Sequence, residues 1–529
     1  MTETDVCVIG AGPAGALVAD QLIEAGYEVT VLEAGPRFEE RDHERMERSI
    51  RPAHADPEVW EMGGPRDAFS ASGPDFYPLN VARVKGVGGS TNHWQGMVYR
   101  LHEADFAGEN NAPAWPLEYT DLQPYYRRAE AVFGVAGAAD NPFAPPRESP
   151  HPLPAFPPSY SDSLFAEACK QVGVATHSAP NARNSEPYDD RSACVGYGTC
   201  KPVCPSGAKY SADHTVRQAE AKGLTVHTEA PVQRLETDAN GGRVARAVYA
   251  HEGEERTLTA DRFVLAAGGV ETPRLLLLST DDSHPDGLAN SSGLVGRYFH
   301  EHLFAGMGGT LGEPTRQNHI GFITTESHQF YDDPGVGTDA IPSRNGEFAP
   351  FKLEFLNYAG PSPVEMAMTG DAWGDDLLRQ LQDAYGSHVA MGGLVGQPPL
   401  ARNRISLDES RTDDHGNPVP DIIWEIDERT KRTLARANEV QRAVLEAMGV
   451  DIEWTVGPDN TGPAYHHMGT TRVSRDPAAG VVRPDCRTHD VENLWIASSS
   501  VFPNGGALNP TLTIGALALL CAESVAGSL

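Results

Sequence analysis

The sequence predicts an α/β fold: a Rossmann-like nucleotide-binding domain, with a central parallel sheet and an antiparallel meander, interleaved with an α+β domain containing an antiparallel sheet. Three observations carry this expectation. Asp5–Gly35 reads as strand, glycine-rich turn, helix and strand. Arg262-Phe-Val-Leu-Ala-Ala-Gly-Gly269 is another buried strand that ends in glycines. From about Tyr298 to Pro458 such motifs vanish and short strands alternate with loops, around one long helix from Glu428 to Met448. At 529 residues the chain exceeds what one core organises.

Val6–Ile9 is an uncharged apolar run, as a strand buried on both faces requires. Gly10, Gly12 and Gly15 then form G-x-G-x-x-G. The first allows a sharp turn, the second lets backbone approach a pyrophosphate, and the third lets the next helix pack on the strand. That helix opens at Pro13 and Ala14 and runs to about Ala25, its free amides and dipole favouring phosphate, and Gly26 ends it. The strand Glu28–Leu32 delivers Glu33 about 20 residues on, where a carboxylate can accept ribose hydroxyls. The pattern specifies a dinucleotide without choosing NAD or FAD. A plain βαβ unit whose glycines only serve a turn is the alternative.

The 73 acidic and 42 basic residues leave a net charge of −31, spread along the chain. Such a field disfavours nucleic acid and anionic lipid surfaces. It suits a surface screened by molar salt, so a halophilic protein is expected. No apolar run reaches the length of a membrane span, and Met1–Thr4 lacks a basic, apolar leader. By its own sequence the chain reads as cytoplasmic. Seven cysteines are too few for a disulfide framework. Cys7 and Cys521 fall in expected core elements, Cys169 in a helix and Cys486 in a loop.

After Gly35 a polar, Pro- and Gly-punctuated segment runs to about Asn80. Arg83–Gly96 (RVKGVGGSTNHWQG) then exposes backbone through four glycines and ends on His93 and Trp94. At Gly88, Ser90, Asn92, His93 and Trp94 the sequence resembles the second flavin signature of the glucose–methanol–choline (GMC) oxidoreductases, FAD-dependent enzymes that oxidise alcohols. One branch of that family attaches its flavin to the histidine of a Thr-His-Trp. Here Asn92 stands in the threonine position, so noncovalent FAD is expected at His93.

Ala114–Phe133 predicts a helix from about Tyr119, capped by Thr120 or Asp121, which serves either as a lid or as a packing helix. A Pro-rich connector, Asn141–Ser159, and an amphipathic helix, Asp162–Val172, follow. Within Arg191–Lys209, Cys194, Cys200 and Cys204 are spaced C-x5-C-x3-C among glycines, with Pro205 after the last. Thiolates so placed can wrap an iron–sulfur core, three ligands fitting a three-iron cluster or a four-iron cluster with an outside ligand. A zinc loop with His214 as fourth ligand and metal-free thiols remain open. This segment resembles the catalytic subunits of bacterial FAD-dependent glucose, sorbitol and gluconate dehydrogenases, which implies a 3Fe–4S cluster held by these three cysteines.

Leu224–Thr228, Val232–Leu235, Arg243–Tyr249 and Arg256–Ala260 alternate like strands of an antiparallel meander. The resemblance sets the Val232 backbone at the adenine, and Ala267 and Gly268 under the dinucleotide, before a helix beginning at Glu271-Thr-Pro273. His300 and His302 are close enough to suggest a metal but stay unassigned.

Near the C-terminus stand Tyr465-His466-His467-Met468-Gly469-Thr470, Leu494–Ser500 and Asn509-Pro510-Thr511-Leu512-Thr513. The resemblance implies that His466 is the catalytic base, His467 its neighbour and Asn509 the second catalytic residue. An imidazole accepts a hydroxyl proton near neutral pH, and an amide holds the hydroxyl in line. The Asn-Pro-Thr turn also caps a helix over Leu512–Ala522, whose first amides favour negative charge on a reduced flavin.

The resemblance thus implies an FAD contact set of Gly10, Gly12, Pro13, Ala14, Gly15, Glu33, Ala34, Gly88, Ser90, Asn92, His93, Trp94, Val232, Ala267, Gly268, Ser498, Ser499, Asn509, Pro510 and Thr511. It divides the chain into an FAD-binding domain (1–100, 213–297 and 459–529), a lid and connector with the cysteine loop (101–212), and a substrate domain (298–458). The expected enzyme oxidises a sugar, polyol or sugar acid and passes electrons through the cluster to an outside acceptor. A small export-chaperone subunit and a cytochrome are the expected partners, and export or membrane association would come through them. The alternatives are an O2-using oxidase with structural cysteines, an NAD-dependent dehydrogenase, and a flavin subunit without catalysis.

Overall fold

The first strand, Thr2–Ile9, lies parallel to Val29–Leu32 on one side and to Glu254–Leu265 on the other. Val6, Cys7 and Val8 are completely buried, as the uncharged run requires. The computed structural model describes residues 2–49, 67–108, 112–201, 203–315, 323–357, 366–368 and 370–529. Part of the polar segment expected after Gly35 lies outside them.

The meander differs from expectation in two ways. Thr225–His227 does not join it but pairs in parallel with Val29–Leu32 at the far edge of the sheet. The preceding helix, Ala212–Ala221, packs on Pro13–Glu24, and a helical crossover returns the chain parallel. The strands expected on either side of Asp261 are one strand, Glu254–Leu265. Its first half is antiparallel to Val244–His251, and its last three residues are parallel to Leu494–Ile496. Burial becomes complete at Phe263, where the strand passes from the half-exposed meander into the covered sheet.

The second sheet is antiparallel throughout. Its order is Asp451–Val456, His302–Thr310, His388–Gly396, Leu353–Leu356, Thr325–Ser327 and His177–Ser178. The helix Glu428–Met448 has the expected bounds, is capped by the Asp427 carboxylate, and buries Leu434, Val440, Val444 and Leu445 against the sheet. The edge strand His177–Ser178 comes from the connector region.

The helix Tyr119–Phe133 starts where expected but is capped by Glu118, two residues before Thr120, and the Glu118 amide donates to Asp121 Oδ2 at 2.8 Å. It packs against Thr511–Ala526, with Tyr126 Oη and Thr513 Oγ1 2.8 Å apart. Among the described residues no helix is long and apolar enough to cross a membrane.

Candidate active site

The glycine turn meets the geometric demands one residue at a time. Gly10 has φ +105°, and a Cβ there would stand 2.7 Å from Ala266 O. A Cβ on Gly15 would overlap Gly10 O, whereas one on Gly12 would meet nothing within 4 Å. The open position therefore belongs to Gly12, at the start of Pro13–Glu24, a helix with no side-chain cap. Its free amides face a space that suits a pyrophosphate. The Gly88–Gly89 turn packs against it, since a Cβ on Gly89 would lie 2.9 Å from Gly12 Cα.

A cavity of about 1480 Å³ runs from Glu33 past these turns to His466 and Asn509. Its wall includes Gly10, Gly12, Pro13, Ala14, Glu33, Ala34, Ser90, His93, Trp94, Val232, Ala267, Gly268, Ser498, Ser499, Pro510 and Thr511. Gly15, Gly88 and Asn92 stand behind that wall. Asn92 Nδ2 donates to Val87 O and Gly89 O at 2.9 Å, and Asn92 Oδ1 accepts from Ser211 at 3.0 Å, so this side chain braces the turn. Glu33 is buried, its carboxylate accepting from Ala11 N at 2.7 Å and Gly35 N at 2.9 Å. Burial nevertheless holds it above the usual carboxylate range.

At the far end four groups form a directional chain. His302 Nε2 lies 3.2 Å from Gly505 O, which can only accept, so the proton is on Nε2 and His302 Nδ1 is bare. His466 Nδ1, 2.9 Å away, must therefore donate to it. That leaves the lone pair of His466 on Nε2, to which Asn509 Nδ2 donates at 3.4 Å. Asn509 Oδ1 is buried without a partner in the protein. The helix Thr511–Ala526 begins at Pro510 with no side-chain cap, so Asn509 serves His466 rather than the helix end, and the first helix amides stay free.

Glu301 holds the backbone of this arrangement. Its Oε2 accepts from His466 N at 2.8 Å and His302 N at 3.1 Å, and Tyr77 Oη donates to Oε1. His467 Nε2 stays 3.9 Å from Glu301 Oε1, with its ring against Tyr77 and Phe299. His302, Glu301 and Tyr77 were not singled out as site residues from the sequence. The only signal was the i, i+2 spacing of His300 and His302, and the two serve different ends. His300 Nδ1 donates to Tyr298 O at 2.9 Å and lies in the core.

The cysteine loop abuts the same cavity. Lys209 Nζ is buried and donates to Asn92 O at 3.1 Å, Trp94 O at 2.7 Å and Cys200 O at 2.7 Å, tying the loop to the glycine–histidine turn. Lys201 lines the cavity and lies 5.2 Å above the Tyr465 ring. Cys194 Sγ accepts from Gly196 N at 3.4 Å, and Cys204 Sγ lies 3.5 Å from Ser206 Oγ. Burial pushes the Cys204 thiol up, but the Ser206 hydroxyl, the Lys209 and Ala208 amides and the Lys209 charge outweigh it, and its pKa falls. Such a thiol suits coordination to a metal core.

Burial also sets a pH dependence. It lowers His93, His466 and His467 to about 3 and His300 to about 4. Unfolded, each titrates near ~6.5. The unfolded chain therefore binds more protons between those values, and stability present above about pH 6.5 is lost as pH falls toward 4 and below. Glu301, raised by burial from 4.5 to about 8, acts in the opposite sense, as do the buried Asp105, raised to about 6, and Glu33, against these four imidazoles and His151, which burial lowers to about 4. The melting temperature is expected to fall steeply below about pH 6.5. A flat acid limb would contradict burial of these imidazoles as neutral groups.

The chain matches the GMC oxidoreductase family over residues 75–304 and 399–518, and an FAD binding domain over residues 3–44. It is 31% identical to the fructose dehydrogenase large subunit of Gluconobacter japonicus, covering 100% of this chain and 98% of that one. It is 30% identical to the 2-methyl-1,2-propanediol dehydrogenase of Mycolicibacterium austroafricanum, covering 99% and 95%. Among solved structures, a formate oxidase variant from Aspergillus oryzae has the same fold, with a TM-score of 0.66 at 16% identity over 100% of this chain and 98% of that one.

Proposed function

Because this chain belongs to the GMC oxidoreductase family, we propose that the FAD-dependent oxidation of a CH–OH group which that membership entails is directed at a sugar, polyol or sugar acid. When bound, FAD supplies the hydride acceptor. The open face of Gly12, the uncapped helix behind it and the Glu33 carboxylate fit its pyrophosphate and adenosine ribose.

The observation that supports His466 as the base of this oxidation is the directed chain from Gly505 O through His302 to His466, and the sugar-type substrate is taken by analogy with the fructose dehydrogenase relative. It leaves His466 Nε2 as a bare nitrogen inside the cavity, neutral because burial lowers its pKa to about 3. A substrate hydroxyl at that nitrogen gives up its proton as its carbon loses hydride. Asn509 has an amide proton and an unpartnered oxygen with which to orient the same hydroxyl. The free amides at Thr511–Thr513 favour negative charge in this end of the cavity.

Cys194, Cys200 and Cys204 are proposed to hold a 3Fe–4S cluster, which would supply one-electron transfer to an external acceptor. Lys209 supports this, because it bonds both the cluster loop and the turn carrying His93. The fructose dehydrogenase relative is named a large subunit. By analogy a small subunit and a cytochrome or similar acceptor are proposed as partners here.

The test is anaerobic stopped-flow reduction of the bound flavin by a panel of sugars, polyols, sugar acids and simple diols. Bleaching by the first three classes is expected, and bleaching by simple diols alone would overturn the substrate reading. Cys204→Ser should leave substrate-driven flavin reduction unchanged, remove iron from the anaerobically purified protein and slow dye turnover. Unchanged iron content would remove the cluster assignment. Stoichiometric peroxide during aerobic turnover would favour an oxidase.

A further inference from the structure

We propose that His177, Glu326 and His328 form a mononuclear site for a divalent cation of the zinc class, separate from the flavin cavity and the cysteine loop. The backbone brings them together. Glu326 is the direct antiparallel partner of His177, and His328 follows Glu326 by two residues, so all three project from one face of the sheet. One ligand atom from each lies within 4.8 Å of the other two.

All three side chains are sealed from solvent, at 0%, 0% and 2% exposure. Glu326 Oε1 stands 3.8 Å from His177 Nδ1 and 3.5 Å from His328 Nε2 and accepts no hydrogen bond. His328 Nε2 and His177 Nε2 are also buried without partners, while His177 Nδ1 lies 3.0 Å from Ser178 O. Buried polar atoms without a well-formed hydrogen bond are costly, and His328 Nε2 and Glu326 Oε1, 3.5 Å apart, and His177 Nε2 would all be satisfied by one ion between them. Two imidazoles and a carboxylate are a donor set for zinc and its neighbours. Tetrahedral zinc with bonds of about 2.0–2.2 Å sets its donor atoms about 3.3 Å apart, close to the 3.5 Å between Glu326 Oε1 and His328 Nε2.

The charge around the site leaves room for a cation. Glu326 Oε2 accepts from Tyr99 Oη at 2.7 Å and from Lys352 Nζ at 3.1 Å. Lys352 is shared with Glu354 at 2.7 Å, so two carboxylates face one ammonium and Oε1 keeps its charge. His328 Nδ1 faces Asn141 Nδ2 at 3.2 Å and His102 Nε2 at 3.4 Å. His102 Nδ1 in turn lies 3.1 Å from Asp332, whose side chain is half exposed. The His102 contact gives the site outer support. A bound ion would staple the two-residue strand His177–Ser178 to the sheet whose Glu354 and Leu356 line the cavity.

The experiment uses the FAD-loaded protein freed of adventitious metal by chelation. Titration with Co2+ is expected to give one equivalent with nitrogen–oxygen ligand-field bands and no thiolate charge transfer, which separates this site from the cysteine loop. Glu326→Gln and His328→Ala should each weaken that binding by at least about 100-fold. If neither variant folds, crystals of the native protein grown with zinc decide, because anomalous scattering locates the ion directly. A zinc peak among the three side chains supports the site. Absence of that peak, a water in its place, or unchanged affinity in both variants overturns it.

Discussion

Replacing His466 by alanine is expected to slow substrate-driven flavin reduction by about 10²–10⁴-fold, the usual contribution of a positioned general base, while FAD stays bound. The imidazole lies at the far end of the cavity from Glu33, so its removal leaves the dinucleotide cradle intact. What disappears is a nitrogen whose lone pair is directed rather than left to chance. Gly505 O fixes the proton of His302, His302 fixes that of His466, and only Nε2 remains to accept. Changing His302 to leucine should therefore also slow reduction, though less, by freeing His466 to adopt either tautomer. Its signature would be a rate loss with little change in substrate affinity, which a purely structural role would not produce. Near-normal flavin reduction in His466→Ala would remove the base assignment.

The glycine end of the cavity was legible because its residues are set by local backbone demands, whereas His466 and Asn509 were reached only through the family resemblance. Gly10, Gly12 and Gly15 each have a role dictated within a few positions, and the structure gives each a distinct environment. The partner of the base was not legible. His302 and His466 are 164 positions apart, and the strand that presents His302 belongs to the second sheet. Nothing in either local pattern encodes their meeting. Thr225–His227 was misplaced for a related reason, since alternation marks a strand but not whether its neighbour runs parallel. Asn92 shows the limit from the other side. It was chosen for lying within a flavin-like motif, yet its hydrogen bonds brace the turn from behind.

Gly269→Ala is expected to lower the turnover rate by about 100-fold without removing any functional group, the scale of loss that follows a misplacement of about 1 Å. Gly269 lies in the first turn of the helix Gly268–Leu278. On local grounds alanine should help, because glycine in a helix interior is about 1 kcal/mol worse. The packing argues the reverse. A Cβ there would overlap His467 O and lie 2.7 Å from His467 Cβ. Overpacking of that kind costs about 1–3 kcal/mol, more than a first-turn position can recover. The His466–His467 backbone must give way, and it is anchored on three sides. Ser499 Oγ donates to His467 O at 2.5 Å, Thr470 Oγ1 donates to Gly269 O at 2.7 Å, and Glu301 holds His466 N. Tyr465, just before the base, already has φ +68°, a conformation in which little further adjustment is available. The displacement therefore passes to His466 Nε2 and its bond from Asn509. FAD content should fall less than turnover, since the clash is with His467 rather than with the pyrophosphate turn at Gly12. Gly12→Ala is the converse case, because its Cβ meets no protein atom within 4 Å but enters the cavity. That variant should keep its fold and lose FAD affinity. If Gly269→Ala turned over normally, the close approach of this helix would not be what holds the base in position.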